Sequence, residues 1–347
     1  MTVLHGGQLT RIAKEYNIPK SQWLDLSTGI APYSYPIPSI PINIWQDLPT
    51  ITDNLLFVAR QYYQAKYCWP LSGSQSLIEK LPELWKTQNK AFNTDISHVY
   101  LPKVGYKEHQ QAWQKAGCKL HFYQQYLPTD IENNSVVVVI NPNNPSNDKF
   151  NQAQLKSLQE TCEKTNSLLV IDEAFADILS PEWSFVSQIQ AQTDNVIVLR
   201  SFGKFFGLAG IRIGFVCCGL QWFNRIRQTT GPWEINGPAL YIAEQALADK
   251  NWHKKQIEKL QDQSQKQQTL LIKYFPAVST QSNALFMTVF LNNAPHIYRI
   301  FCQHGLYVRL TDENDALRFG ICSNRQLQQL EVILKDCDKF ISHNLTE

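Results

Sequence analysis

The chain has 347 residues, 44% hydrophobic and 18% charged, with a formal net charge of +2. That length is enough for two domains or for one large domain with an appended lobe. The balanced charge argues against a nucleic-acid or basic membrane surface, and no apolar run reaches membrane-spanning length. The opening MTVLHGGQLTRIAKEYNI lacks the charged and apolar stretches of a secretory signal. The eight cysteines are scattered and form no C-x-x-C pair. Buried free thiols in a cytoplasmic protein are the expectation.

Residues 20–54 are rich in proline and lack helical period, which predicts an extended arm. NLLFVARQYYQAKY (54–67) reads as a helix. SLIEKLPELWKTQ (76–88) carries Leu77, Ile78, Leu81, Leu84 and Trp85 at helical spacing, and Pro82 predicts a kink or break there. A strand–helix alternation follows, with HVYLP a strand, YKEHQQAWQKAG a helix and SVVVVINP a strand. The valine run is continuous and β-branched, as in a strand buried on both faces. Residues 151–165 read as a helix, and 167–175, 195–202 and 210–218 as strands. This order predicts an α/β domain with a mostly parallel sheet. Residues 238–275 turn helical and polar, and the glutamine-rich stretch 256–268 reads as a solvated helix face. A smaller α+β lobe closes the chain, with strands at 284–291, 306–310 and 316–322 and helices at 294–305 and 324–341.

Several positions carry chemistry. SGSQ, Ser72 to Gln75, opens a helix, where unpaired backbone N–H groups can hold a phosphate through Gly73, Ser74 and Gln75. The plainer alternative is an ordinary N-cap. NPNNPS (141–146) stands at the end of the valine strand, where open α/β sheets bind ligands; it also suits a simple turn. Asp172 and Glu173 follow four apolar residues, and a carboxylate so placed needs a cation or a metal. Lys204, in SFGKFFGLAGIRIGF, stands among phenylalanines and glycines. A lysine in apolar surroundings offers a free amine for imine formation with an aldehyde, although a snorkelling surface lysine remains the alternative. Arg212 in GIRIG is costly to bury alone, so an anion is expected beside it, with Ser201 on the same wall.

In this order the motifs resemble the fold-type I pyridoxal-phosphate enzymes of the aminotransferase class I and II family. The run S-F-G-K-x-x-G-L-A-G-x-R-x-G is its most specific element. The resemblance implies a large domain (46–244) with a mostly parallel seven-stranded sheet flanked by helices. It also implies a smaller α+β domain (245–347) and an N-terminal arm (1–45) that joins it. It makes Lys204 the Schiff-base lysine and pairs Asp172 with the pyridine N–H. Asn144, before a Pro145 peptide bond expected to be cis, takes the ring hydroxyl oxygen. Gly73, Ser74, Gln75, Ser201 and Arg212 hold the cofactor phosphate, Tyr106 stacks on the ring, and Arg318 takes a substrate carboxylate. Many members have a tyrosine where this chain has Phe175. The family's tyrosine-proline segment corresponds to DLPTITDNLL, where no tyrosine stands beside Pro49. A homodimer is implied on resemblance alone.

LHGGQL, WLDLSTGIAP, GYKEHQQAW, DEAF and GPWEIN together resemble the threonine-phosphate decarboxylase branch of cobalamin biosynthesis. That branch releases carbon dioxide from L-threonine O-3-phosphate and leaves (R)-1-amino-2-propanol O-2-phosphate. Phe175 is expected there, while Ala31 stands where an asparagine is common. A phosphorylated substrate needs a second anion site, for which Arg309 and Arg318 are candidates, with His5 as a possible cover. Arg309 reads equally as an exposed strand arginine, and His109 as a helix residue against the core. The alternatives are a histidinol-phosphate aminotransferase-like enzyme and a non-catalytic, cofactor-binding regulator. Neither a metal site nor a nucleic-acid partner is expected.

Overall fold

A computed structural model describes residues 5–88, 97–276 and 280–345. The first four residues of the expected arm lie outside the described residues. The chain divides into two compact units: Met1–Ser34 with Pro145–Asn147 and Asn251–Glu347, and Tyr35–Asn144 with Asp148–Lys250.

The second unit is built on a seven-stranded sheet. Its strands are Cys68–Leu71, His98–Pro102, Lys119–Tyr123, Val136–Ile140, Leu168–Asp172, Val196–Ser201 and Gly214–Cys218. Side by side the order is 68–71, 214–218, 196–201, 168–172, 136–140, 98–102, 119–123. Strand 214–218 runs antiparallel to both its neighbours, and the other pairings are parallel. Every residue of strands 136–140, 168–172 and 214–218 is buried, in keeping with their near-continuous apolar runs. Leu77, Ile78, Leu81, Trp85 and Trp113 from the flanking helices pack on Val136, Val138, Val170 and Ile197.

The proline-containing helix runs unbroken from Ser74 to Gln88, with Pro82 buried inside it. Burial of one whole apolar face outweighs the lost hydrogen bond, because tertiary packing supplies most helix stability. Two edge strands had no signal in the sequence. Cys68–Leu71 contains Pro70, which an edge position tolerates, and Lys119–Tyr123 is short and half exposed. The strand expected from 210 begins only at Gly214, after a 3₁₀ turn at Ala209–Ile211.

The first unit holds a four-stranded antiparallel sheet in which Ala316–Gly320 is flanked by Phe286–Phe290 and Arg309–Leu310, with Thr280–Ser282 at the edge. The expected strand 306–310 is two short strands. Leu306–Tyr307 pairs with Leu24–Asp25 of the arm, and Arg309–Leu310 pairs with 316–320. The arm is mainly extended but carries a helix at Leu9–Glu15 that the sequence did not announce.

The glutamine-rich stretch of helix Lys250–Tyr274 is solvated only in part: Gln261 and Gln265 are exposed, while one face turns inward. Gln256, Gln263 and Gln267 are buried. Gln256 donates to the Tyr33 carbonyl and Gln263 to Asn324. Gln267 donates to the Gly320 carbonyl while its own oxygen accepts from the Cys322 N–H. A primary amide offers donors and an acceptor at once, so it satisfies main-chain groups that no apolar side chain could. All eight cysteines are free thiols. Among the described residues no helix is long and apolar enough to cross a membrane.

Candidate active site

In the second unit the connection after strand 98–102 leads outward to 119–123, and strand 136–140 then returns to the other side of 98–102. Such a switch point opens a crevice at the carboxyl ends of the strands. Tyr106 and His109 follow strand 98–102, Asn141 to Asn144 follow 136–140, Asp172 ends 168–172, and Ser201 ends 196–201. Lys204 stands three residues later, in the short helix Phe202–Phe205. The fold thus gathers residues that lie up to about a hundred positions apart.

Asp172 is 3% exposed. Its Oδ2 lies 2.9 Å from His109 Nε2, and its Oδ1 accepts the Ala174 N–H at 3.0 Å. His109 is as buried as its partner, so the sequence assignment of a helix residue against the core is right about burial and incomplete about chemistry. The missed signal is spacing. Tyr106 and His109 are three residues apart, at the start and first turn of one helix, which directs both side chains to one side. Their rings meet edge to face, with centroids 6.3 Å apart. Burial raises the Tyr106 hydroxyl above the usual tyrosine range, helped by Glu108 and Asp172 and opposed by Arg212. Tyr106 also donates to Gln75 Oε1 at 3.2 Å.

The turn before helix Ser74–Gln88 is built on Gly73. Its φ is +73°, and a Cβ there would lie 2.7 Å from Arg212 Nη2. A Cβ on Gly214 would come within 2.8 Å of the Ser74 nitrogen, so this glycine admits the helix start against the sheet. Arg212 itself is neither in the strand nor buried as expected. It is exposed, in left-handed backbone at φ 57°, and Nη1 donates to the Ala209 carbonyl at 3.1 Å. The strand begins two residues later, which leaves the guanidinium free to lie over the Gly73 turn. The Gln75 side chain bonds Glu79 and Glu108, so what it offers an anion is its backbone N–H.

The cis bond expected at Asn144–Pro145 is instead at Asn141–Pro142. Asn143 donates to the Val104 carbonyl at 2.8 Å and so ties the two loops that rim the crevice. Asn144 is half-buried. Lys204 is half-buried too, its Nζ 5.6 Å from the centre of the Phe175 ring.

Glu173 turns away from Asp172 into a separate buried cluster that sequence reasoning missed. Arg200 bonds Glu173 and Asp177, each at 2.7 Å. Ser184 Oγ and the Phe185 N–H donate to Glu173, and Tyr62 donates to Asp177. Burial pushes the Glu173 carboxyl up, against the pull of Arg200. The cluster fixes the residues directly after Asp172 and directly before Ser201. Its signal was Arg200, the one charge in the run NVIVLRSF.

Arg318, Arg309 and His5 belong to the first unit. Arg318 and Arg309 are register partners on adjacent antiparallel strands. Arg318 is 7% exposed, donates from Nη2 to the Ser27 carbonyl at 2.7 Å and lies over the Phe286 ring. Burial and the neighbouring Arg309 push it down to about 9. Arg309 pairs with Asp312 at 2.9 Å. His5 is half-buried, and its carbonyl accepts from the Tyr307 hydroxyl at 3.4 Å.

Comparison with known proteins bears on this arrangement. Residues 57–334 match the family Aminotransferase class I and II. A threonine-phosphate decarboxylase of Pseudomonas aeruginosa is 34% identical over 322 residues, covering 91% of this chain and 92% of its own. A histidinol-phosphate aminotransferase of Ruminiclostridium cellulolyticum is 27% identical over 201 residues, 57% of this chain and 55% of its own. In structure, histidinol-phosphate aminotransferase from Sinorhizobium meliloti, solved in complex with pyridoxal-5'-phosphate, superposes with a TM-score of 0.77 at 16% identity, over 98% of this chain and 96% of that one. The fold is therefore the fold-type I α/β architecture. The chain belongs to the aminotransferase class I and II family and is a pyridoxal-phosphate-dependent enzyme.

Proposed function

We propose that the protein decarboxylates L-threonine O-3-phosphate to (R)-1-amino-2-propanol O-2-phosphate, as a step of cobalamin (vitamin B12) biosynthesis. The observation that carries this reading is the reach of the similarity, 91% of the chain for the decarboxylase against 57% for the aminotransferase. Phe175 in place of a tyrosine agrees with it.

The residues present suit the cofactor. Gly73 leaves an open turn where any Cβ would meet Arg212, and the first N–H groups of helix Ser74–Gln88 lie beside that guanidinium. A helix start next to an arginine is suited to a phosphate. In this reading Gly73, Ser74, Gln75, Ser201 and Arg212 hold that phosphate, Tyr106 covers the ring and Asn144 bonds its hydroxyl oxygen. When bound, the cofactor supplies an aldehyde for the substrate amine and a ring that takes up the electron pair of the breaking Cα–carboxylate bond.

The chain's own residues do the rest. Asp172 holds the ring nitrogen's proton, and its two hydrogen bonds keep the carboxylate from turning away. Lys204 anchors the cofactor and afterwards delivers a proton to Cα. Arg318 takes the substrate carboxylate with its planar fork, Arg309 takes the substrate phosphate, and His5 covers them from the arm. Which bond at Cα breaks would then depend on how Arg318 and Arg309 orient the bound substrate.

The same reading makes the protein a cytoplasmic homodimer. Ile37, Ile42, Trp45, Leu48 and Phe57 are 53–69% exposed within 21 residues, an apolar run that suits a second copy.

The test is incubation with L-threonine phosphate, with and without 2-oxoglutarate, and mass spectrometry of the products. Carbon dioxide and aminopropanol phosphate without any oxo acid are expected. Strict dependence on the oxo acid would replace decarboxylation by transamination. Unchanged cofactor absorbance on adding threonine phosphate would point to a regulator.

A further inference from the structure

Ser27 is fully buried in the first unit, and every polar group it has is used. Its N–H and its hydroxyl both donate to Asp25 Oδ1, at 2.9 and 2.7 Å. Its Oγ accepts the Gly7 N–H at 2.8 Å. Its carbonyl accepts Arg318 Nη2 at 2.7 Å. The arm also packs closely against this carbonyl, since a Cβ on Gly6 would lie 2.1 Å from it. Tyr307, next but one to Arg309, reaches the His5 carbonyl with its hydroxyl. Two separate stretches of chain, the HGG segment and the Arg318 strand, therefore meet at one serine.

We infer that Ser27 is a positioning residue for the reaction, coupling the N-terminal HGG segment to the guanidinium that takes the substrate carboxylate. This rests on the assignment of Arg318 to that carboxylate. Asp25 fixes the turn, the turn sets the direction of the Ser27 carbonyl, and the carbonyl fixes one arm of the guanidinium fork. A guanidinium with one nitrogen tied keeps its remaining N–H groups in a set plane, so little rotamer freedom is lost when a carboxylate arrives. The docked arm is held through Ser27 Oγ by the same turn. Loss of the hydroxyl frees Gly7 and loosens the carbonyl together.

The prediction separates the carboxylate from the rest of the ligand. Aminopropanol phosphate carries the amine and the phosphate but no carboxylate. In the holoenzyme, Ser27→Ala should raise the KM for L-threonine phosphate about five- to tenfold, the effect of weakening one charged hydrogen bond. Binding of aminopropanol phosphate, titrated by cofactor absorbance, should stay within about twofold, because the Arg309 that holds its phosphate is tied to Asp312 and not to Ser27. Asp25→Ala should behave like Ser27→Ala, and Asp25→Asn, which keeps the acceptor, should restore the wild-type KM. The Asp25 pair carries the same comparison if Ser27→Ala does not fold. Equal weakening of both ligands, or no change in either, overturns the inference. Arg318→Lys distinguishes the two levels. If it leaves the KM for threonine phosphate unchanged, the carboxylate assignment itself fails, whatever Ser27→Ala does.

Discussion

Lys204 sits on a four-residue helix; its neighbours Phe202 and Phe206 stack on one another with ring centroids 4.1 Å apart, and the Phe175 ring lies near the Lys204 amine. An amine in such surroundings is suited to a carbonyl partner, and its chain neighbours cannot take over the task. Borohydride reduction of the cofactor-loaded protein should therefore label residue 204 and no other, with the label absent from Lys204→Ala, as peptide mass spectrometry will read. A label elsewhere would remove the basis of the proposed chemistry. His109 shows how much a single residue can withhold. In sequence it is one polar residue in an amphipathic helix, and only its contact with Asp172 gives it a place in the site.

At the scale of elements, the turn into helix Ser74–Gln88 is the part most sensitive to small change. Gly73→Ala puts a β-carbon into left-handed backbone and against the Arg212 guanidinium. Backbone strain costs about 1 kcal/mol and the displaced guanidinium removes a phosphate contact. Cofactor affinity, measured by equilibrium dialysis, should fall at least about tenfold while the melting temperature of the cofactor-free protein shifts by only a few degrees. An unchanged affinity would mean that the phosphate is held elsewhere. The glutamine ladder of helix Lys250–Tyr274 is the opposite case, an element whose composition looks solvated and whose function is internal. It caps the main chain just beyond Arg318 through Gly320 and Cys322.

At the scale of the whole molecule, the exposed run from Ile37 to Phe57 is the feature a lone chain would not be expected to keep. The proposed homodimer makes a direct prediction. The wild-type protein should sediment as a dimer, and Trp45→Glu should shift it towards the monomer without altering the far-ultraviolet circular dichroism. A wild-type monomer at micromolar concentration would defeat that proposal.

The sequence by itself determined the alternation of buried strands and amphipathic helices, because continuous β-branched runs such as Val136–Ile140 and the spacing of Leu77, Ile78, Leu81 and Trp85 are local patterns. It determined the candidate chemistry too, since Asp172, Lys204 and the Gly73 turn each lie in short motifs. Tertiary structure alone decided which polar groups face one another. Edge strands with weak patterns form because a neighbour supplies their hydrogen bonds. The Arg200–Asp177, His109–Asp172 and Arg318–Ser27 contacts join residues 23, 63 and 291 positions apart. Local periodicity reports which side of an element is apolar, and it carries no information on which distant partner will satisfy a buried donor.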